Sequence, residues 1–492
     1  MSSFPLWAAF RSRAVPLILL TFLLTACLPQ PAIVLTPILP TGTKAAGPTL
    51  TPLPQRPQYD PAELVDYTAQ DGDTLPALAA HFNTTINEIR SANPQIPADA
   101  TTMPPGMPMQ IPIYYQSFWG TPFKSLPDSL YVYGPAVIGF DTEAFVSSHP
   151  GWLKDFVGYV GGANRSGAGM VDYVALNYSI SPRILLAILE YQTGALSQPS
   201  VPTSSYALGQ VDYNYAGIYL QLVWAADTLN NGYYGWRTGQ LTSFDHPDGR
   251  TERPDPWQNA ASVALQYYFS RHLSQLDYDR AVGPDGLARV YQNLFGDPWL
   301  NNQAHIPVSL QQPSLTFPFQ PGKAWALTGG PHSGWGTMLP WAALDFAPPS
   351  EVSGCVPSDQ QVTAMADGIV VRSDYGVVVE DLDGDRDERT GWDLLYLHVA
   401  TIGRVPAGTV LKKGDQIGFP SCEGGEATGT HVHIVRKYNG EWIPADGPLA
   451  FNLDGWIAHS GSAHYLGTLT RGTRVVTACT CADAASLVMA GP

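Results

Sequence analysis

Four histidines and one aspartate near the C-terminal end have the residue types and spacing of a metal centre. His431 and His433 are separated by one residue in a strand-like run, so we expect both imidazoles on the same face of a β-sheet. His398 ends another strand-like run, and His332 lies on a predicted loop after a Gly-Gly-Pro segment. Asp345 lies among apolar residues, where an unpaired carboxylate is costly. Two neutral imidazoles and one carboxylate suit Zn²⁺ and leave a fourth position for water.

Short β-like runs separated by Gly and Pro would position these side chains. The runs begin after about residue 315 and cover 361–365, 368–372, 377–382, 392–397 and 431–437. Their lengths and spacing predict an antiparallel β domain.

An acidic segment that begins at Asp381 and reads DLDGD lies between two of these runs. An EF-hand loop requires Gly at its sixth position and Glu at its twelfth, where this sequence has Arg386 and Trp392. The sequence therefore favours an acidic, solvated hairpin turn over a metal site.

The segments GGPHSGWGTMLPWAALDF, YLH and TGTHVHI resemble the peptidoglycan metallopeptidases of the lysostaphin class, in particular their β-lytic and staphylolysin branch. The resemblance covers about residues 325 to 445, and the twelve residues between His332 and Asp345 fit the longer spacing of that branch. It implies that His332, Asp345 and His433 bind zinc, and that His398 and His431 stand beside the attacking water. It thus implies a zinc-dependent endopeptidase that hydrolyses peptide bonds in peptidoglycan cross-links or stems. The alternative is a non-catalytic wall-binding scaffold or activator, although no expected ligand is missing.

Four of the five cysteines also lie near the C-terminal end. They allow three pairings, of which we expect Cys355 with Cys422, because these residues are far apart in sequence and flank the candidate site. Cys479 and Cys481 would then form a short loop or remain thiols.

The N-terminal residues indicate an extracytoplasmic protein. Arg11 and Arg13 precede an apolar run over 14–24, which is typical of a secretory signal and short for a membrane span. The sequence LTAC, ending at Cys27, resembles the lipobox of bacterial lipoproteins and implies a lipid anchor to a bacterial membrane. The Pro- and Thr-rich residues up to 61 are expected to form an extended tether. A plain signal with an incidental cysteine is the alternative.

Residues 65–114 have the order strand, helix, helix, strand. The segment YTAQDGDTLPALAAHFNTTINEIRSANPQ resembles a LysM module, a βααβ fold that binds glycans containing N-acetylglucosamine. The resemblance implies a glycan groove between two segments, or a LysM fold that has lost its affinity. The groove residues would be Asp71, Gly72, Asp73, Thr74, Leu75, Asn93, Pro94, Gln95 and Ile96.

Residues 135–310 show helical periodicity. The segment SPRILLAILEYQTG resembles the active-site helix of lysozyme-like lytic transglycosylases, whose acid falls at Gln192 in this sequence. Glutamine cannot protonate a glycosidic oxygen, and Glu190 lies about 200° away around the helix. We therefore expect a non-catalytic helical domain. Its aromatic residues either line a glycan groove or form core, and they are Tyr213, Tyr215, Tyr233, Tyr234 and Trp236.

The length of 492 residues exceeds a single hydrophobic core. The expected fold is multidomain: a small βααβ LysM module, a mainly α middle domain and an antiparallel β metallopeptidase domain. The expected domains are a signal peptide (1–26), a lipid-anchored linker (27–61), a LysM module (65–114), a helical domain (135–310), a peptidase domain (315–450) and an extension (451–492) that covers the sheet edge. A net charge of −16 disfavours nucleic acid, so the expected partners are peptidoglycan and, through the anchor, the membrane.

Overall fold

The structure is a computed structural model that describes residues 58–300, 302–337 and 339–491. The expected signal peptide, Cys27 and most of the tether lie outside the described residues. No helix in the described part of the chain is long and apolar enough to cross a membrane.

The first described region has the predicted βααβ order. Thr74 caps the first helix by accepting a hydrogen bond from the backbone N–H of Ala77, and Thr85 forms a capping box with Glu88 at the start of the second. The two strands pair antiparallel and enclose a small apolar core with the helices. The elements are β1 (Glu63–Thr68), α1 (Leu75–His81), α2 (Ile86–Ala92) and β2 (Pro108–Ile113).

The middle region is mainly helical. Its longer helices bury almost continuous apolar faces, and α5 begins at Pro182, where a missing N–H costs nothing. Its elements are α3 (Thr142–Ser147), β3 (Val157–Val160), β4 (Ala163–Ser166), α4 (Gly167–Tyr178), α5 (Pro182–Thr193), α6 (Ile218–Arg237), β5 (Phe244–Asp245), β6 (Thr251–Glu252), α7 (Ala260–Ser270), α8 (Gln275–Ala281) and α9 (Leu287–Phe295).

The aromatic residues of this region do not line a common groove. Tyr233, Tyr234 and Trp236 of α6 are buried in the core, whereas Tyr213 is 87% exposed. Of the two interpretations of these residues, core packing is therefore correct for the three on α6.

Gln192 of α5 is held by hydrogen bonds. Its Oε1 accepts a hydrogen bond from the Tyr268 hydroxyl at 2.5 Å, and its Nε2 lies 3.0 Å from Nε2 of His272. Glu190 accepts a hydrogen bond from the N–H of Leu196 at 2.7 Å. Both side chains thus have structural partners, and the absence of a catalytic role stays a prediction.

The C-terminal region is built on an antiparallel sheet with the strand order β13–β10–β11–β12–β15–β8–β7–β21, and β16 pairs with β15. The antiparallel β domain is confirmed, with strands close to each predicted run. The strands are β7 (Ala324–Ser333), β8 (Trp341–Ala347), β9 (Val362–Thr363), β10 (Gly368–Asp374), β11 (Gly376–Asp381), β12 (Trp392–Val399), β13 (Val410–Leu411), β14 (Gln416–Gly418), β15 (Val432–Tyr438), β16 (Glu441–Trp442), β17 (Asn452–Leu453), β18 (Trp456–Ser460), β19 (Gly467–Arg471), β20 (Arg474–Thr477) and β21 (Leu487–Met489).

The two faces of this sheet belong to different cores. Leu394 and Ile434 pack with the C-terminal strands, whereas Leu395 and Val435 pack against the helical region. Because alternate residues of a strand share a face, His433 lies on the same face as Val435. The helical region therefore packs on the same face of the sheet as His433. It contacts this face at the end of the strands away from His433.

Residues 451–491 complete the β core. Phe451 and Leu469 are fully buried among the strands that precede them. The last strand, β21, pairs with β7 at the edge of the sheet, so the tail covers that edge.

A buried polar network joins the first, middle and last regions. His305 Nδ1 lies 2.5 Å from a carboxylate oxygen of Asp71, and its Nε2 lies 2.7 Å from Glu441. Arg237 of α6 donates to Glu441 at 3.0 Å and to the backbone oxygen of Asp71. Burial alone would lower the pKa of His305, but Asp71 and Glu441 raise it to about 9. The network therefore holds a charged imidazolium between two carboxylates.

This network predicts a loss of stability in mild alkali. The folded pKa of His305 is above its unfolded value of about 6.5, so its contribution is fully present below pH 6.5 and is lost as the pH rises through about 9. We expect a loss of about 3 kcal/mol in the free energy of unfolding over this interval, measured by urea denaturation. The free energy of unfolding of the variant His305→Gln should fall much less over the same interval. An equal pH dependence in both chains would contradict this role.

Candidate active site

The three predicted metal ligands lie on three adjacent strands. Asp345 of β8 is the register partner of His433 on β15 and of Gly329 on β7. His332, predicted on a loop, lies near the end of β7 instead. The register of β7 shifts on both sides of His332, and such an irregularity redirects a side chain relative to a regular strand. The hairpin of β7 and β8 thereby brings His332 back to Asp345.

The three side chains are buried, with no more than 6% of each residue exposed. His332 Nε2 lies 3.3 Å from Oδ1 of Asp345 and 3.1 Å from Nδ1 of His433, and that Nδ1 lies 3.1 Å from the same Oδ1. A tetrahedral zinc site with ligands at about 2.1 Å places neighbouring ligand atoms about 3.4 Å apart. The spacing of the three atoms therefore fits one zinc ion.

Backbone carbonyls fix the tautomers of both ligand histidines. His332 donates from Nδ1 to the carbonyl of Gly330 at 2.8 Å, and His433 donates from Nε2 to the carbonyl of Gly334 at 3.2 Å. A carbonyl can only accept, so His332 Nε2 and His433 Nδ1 are left as lone-pair acceptors beside the Asp345 carboxylate. Three crowded acceptors repel one another unless a proton or a metal ion lies between them. This set of two imidazole nitrogens and one carboxylate oxygen therefore fits a zinc ion.

The charges around Asp345 favour its ionised form. Burial alone would raise the pKa of Asp345, but the histidines around it, chiefly His332 and His431, hold that pKa well below its usual value. Burial lowers the pKa of His433, which favours the neutral imidazole that a metal requires. Burial alone would lower the pKa of His332, but Asp345 raises it, so zinc binding would displace a proton from His332.

His398 and His431 form a second pair beside the first three side chains. Their ring centroids are 4.4 Å apart, and Nε2 of His431 lies 3.7 Å from Oδ1 of Asp345. Each donates from Nδ1 to a backbone carbonyl, Glu423 for His398 at 2.9 Å and Gly429 for His431 at 2.8 Å. Both Nε2 atoms are therefore acceptors, available to a water molecule or to a substrate proton.

His398 adopts a backbone conformation that is unfavourable for its residue type. Its φ is +65°, at an irregularity in the pairing of β11 with β12. Non-glycine residues in this region cost about 1–2 kcal/mol and are concentrated at functional sites. Burial, followed by the charges of His431 and His433, lowers the pKa of His398 to about 3. The imidazole is therefore neutral at physiological pH.

All five residues line one open cleft of about 2160 Å³. Every described residue that lines this cleft lies between positions 324 and 487, so the helical region does not fill it. A disulfide between Cys355 and Cys422 joins two of the bordering segments, and Cys479 is bonded to Cys481 at the rim. The cleft is thus open to solvent, and a disulfide holds two of its borders together.

The helical region instead holds the loop between β7 and β8. Asn231 of α6 accepts a hydrogen bond from the N–H of Leu339 at 3.1 Å, and Gly336 lies against the carboxylate of Asp227. A Cβ atom at Gly336 would lie 2.3 Å from that carboxylate, so only glycine fits there. This contact fixes the loop that separates His332 from Asp345.

Sequence reasoning missed two residues of the site. The ring of Tyr465 stacks on His332 with a centroid distance of 4.1 Å, and Tyr465 lies in the tail, where the sequence carries no motif. Gly329 allows the approach of Asp345, because a Cβ atom there would lie 2.6 Å from its carboxylate. The segment GGPH that contains Gly329 was visible, but its spacing alone does not reveal that contact.

The structure divides the predicted glycan groove between two environments. Arg237 lies against Gly72, and Asp71 is engaged by His305, so this turn contacts the helical region. Pro94 and Gln95 are exposed to solvent. The remaining predicted groove residues, Asp73, Thr74, Leu75, Asn93 and Ile96, take part in caps, internal hydrogen bonds or the core of this region. Sugar access to the turn would require it to separate from α6, and glycan binding stays a prediction.

Two family models match separate parts of the chain. A family model described as the LysM domain matches residues 67–112, and one described as LasA, N-terminal domain, matches residues 124–309. The chain is 26% identical over 347 residues to Protease LasA of two Pseudomonas aeruginosa strains, covering 66% of this chain and 77% of the relative.

Solved structures align with parts of the chain. The M23 metalloprotease pseudoalterin from the deep sea is 22% identical, with 34% of this chain and 96% of that chain covered and a TM-score of 0.29. The catalytic domain of lysostaphin from Staphylococcus simulans is 20% identical, with 25% and 87% covered and a TM-score of 0.18.

Proposed function

We propose that this chain is a zinc-dependent endopeptidase that hydrolyses peptide bonds in peptidoglycan cross-links or stems. The observation that carries the proposal is the cluster of His332, Asp345 and His433, with His398 and His431 beside it in an open cleft. Similarity to a protease over two thirds of the chain supports a peptidase.

In this proposal His332, Asp345 and His433 hold the ion. A bound zinc ion lowers the pKa of a coordinated water and polarises a peptide carbonyl. The residues of the chain contribute the rest of the arrangement. Gly330 and Gly334 orient the two ligand imidazoles through their carbonyl oxygens, and outer hydrogen bonds of this kind tune metal affinity about 10–100-fold.

His398 and His431 would handle the proton and the developing negative charge. With each Nδ1–H committed to a backbone carbonyl, each Nε2 can accept a proton from the attacking water. Once protonated, the same atom can donate a hydrogen bond to the oxyanion or pass the proton to the leaving amine. Because both rings are held by the backbone, little reorganisation is needed during the reaction.

The open cleft and the first module support peptidoglycan as the substrate. An open cleft accepts a peptide that is part of a network, and a LysM module supplies a second, weak contact to the glycan of the same polymer. Linking the two contacts raises the local concentration of the enzyme at the wall. Lipidation at Cys27 would keep the chain on the outside of a bacterial membrane and remains part of the proposal.

The test is incubation of the full chain with purified peptidoglycan, with and without a zinc chelator. We expect new amino termini to appear, to cease with the chelator and to return when zinc is restored. Mass spectrometry of the products then identifies the bond. Stoichiometric zinc binding without new amino termini would favour the scaffold alternative.

Glycan binding by the LysM module is tested separately. In a chain inactivated by His433→Ala, Gln95→Ala should lower retention on peptidoglycan about fivefold, because one hydrogen bond is worth about 1 kcal/mol. Asn87→Ala, at an exposed position of α2 outside the predicted groove, is the matched control. Equal retention of both variants would exclude Gln95 from the glycan contact.

A further inference from the structure

The hairpin between β11 and β12 gathers carboxylates far from the candidate active site. Asp381, Asp383 and Asp385 each offer one oxygen, and the three oxygens lie within 4.8 Å of one another. Ligands of a Ca²⁺ ion at about 2.4 Å are no more than about 4.8 Å apart. Asp381 is fully buried, whereas Asp383 and Asp385 are exposed. The segment is therefore not the fully solvated turn that its composition suggests.

A fourth acidic residue, opposite Asp381 in the strand pairing, is buried without a hydrogen-bond partner. Asp393 of β12 is the register partner of Asp381 and is 0% exposed, and neither of its oxygens has a hydrogen-bond partner among the described residues. Facing residues of an antiparallel pair project to the same side of the sheet, about 5 Å apart at Cβ. The side chain of Asp393 therefore lies beside that of Asp381. Such an unpaired buried carboxylate is costly unless a cation compensates it.

The basic residues near this hairpin are used by other carboxylates. Glu388 forms salt bridges with Arg372 at 2.8 Å and with Lys437 at 2.9 Å. Asp387 forms one with Arg389 at 2.7 Å. Within the described residues, no salt bridge reaches Asp381, Asp383, Asp385 or Asp393. Four carboxyl groups thus remain near one another without a salt bridge to a basic residue.

The arrangement differs from an EF-hand but keeps its first three ligand positions. Asp381, Asp383 and Asp385 occupy positions one, three and five of such a loop. The twelfth position is Trp392, and Asp393, the next residue, is brought in by strand pairing instead of by a second helix. Gly391 has a φ of +65°, and a Cβ atom there would lie 2.0 Å from a carboxylate oxygen of Asp383, so glycine lets the loop close.

We propose that this hairpin is a second metal site, which binds one Ca²⁺ ion through Asp381, Asp383 and Asp385, with the buried carboxyl group of Asp393 beside Asp381. Oxygen-only donors in an irregular loop favour calcium over zinc, which prefers nitrogen and sulfur, and over magnesium, which requires a stricter octahedron. The ion ties the end of β11 to the start of β12. Because β12 pairs with β15, it stabilises the two strands that carry His398 and His433.

The test is calcium binding by the full chain after removal of all metals and restoration of one zinc per chain. Calorimetric titration with calcium chloride should show one binding site per chain. Calcium at about 1 mM should raise the melting temperature by at least about 3 °C. Asp383→Asn combined with Asp385→Asn should weaken calcium affinity at least about tenfold. These positions are exposed, so the variant should melt like the wild type without calcium.

Asp387→Asn is the matched control, because this carboxylate lies in the same loop but is paired with Arg389. It should bind calcium within about threefold of the wild type. His433→Ala, which removes a zinc ligand, should also keep calcium binding. Absence of a calcium-dependent shift in the wild type would overturn the proposal. Unchanged calcium affinity in the double variant would also overturn it, and so would equal affinity of the wild type for magnesium and calcium.

Discussion

Replacement of His433 by alanine is expected to remove zinc and to lower peptide hydrolysis at least about 10³-fold. His433 supplies one of three acceptor atoms that lie 3.1–3.3 Å apart, and Asp345 and His332 alone cannot enclose the ion. Asp345→Asn should have the same effect, because a neutral amide replaces the only negative ligand. Zinc content by mass spectrometry and release of amino termini from peptidoglycan measure the two effects.

The control is His459→Ala in the same β region. The His459 side chain is about half exposed and contacts the Thr470 hydroxyl rather than the cleft. It should retain zinc and activity. Full activity in His433→Ala, or loss of zinc in the control, would contradict the assigned ligand set.

Replacement of His398 or His431 by alanine should lower hydrolysis about 10²–10⁴-fold while zinc remains bound. Both rings lie beside the ligand cluster but direct their Nε2 atoms to the cleft, so their loss removes proton transfer and charge stabilisation without removing a ligand. The double variant should hydrolyse peptidoglycan only slightly more slowly than the less active of the two single variants, because the effects of residues that act as a unit are strongly non-additive. The measurements are zinc per chain and the rate of amine release.

A loss of zinc in His398→Ala would show that this histidine is a ligand instead. Activity within a few-fold of the wild type in both single variants would exclude the pair from the chemistry. His459→Ala again serves as the control.

The candidate site could be predicted from the sequence because short-range patterns define most of it. The one-residue spacing of His431 and His433 fixes a common face of a strand, and the apolar neighbours of Asp345 predict a buried carboxylate. The strands around them alternate or consist of short apolar runs, and the structure has strands at each predicted position.

Contacts between distant segments could not be predicted. Asp71 meets Arg237 and His305 across 166 and 234 residues, and nothing in the local sequence of the LysM region signals an interdomain contact. Tyr465 reaches His332 from a tail without a motif. Asp393 was hidden because its partner is defined by strand register rather than by loop spacing. In each case tertiary packing supplies the information.

The central claim, a zinc-dependent peptidase, is tested most directly by adding zinc to the metal-free full chain while amine release from peptidoglycan is measured in the same sample. We predict that hydrolysis rises in proportion to bound zinc and reaches its maximum at one zinc per chain, and that His398→Ala binds the same zinc with little hydrolysis. Zinc bound by the wild type with no release of amino termini, or hydrolysis that proceeds without zinc, would contradict the account.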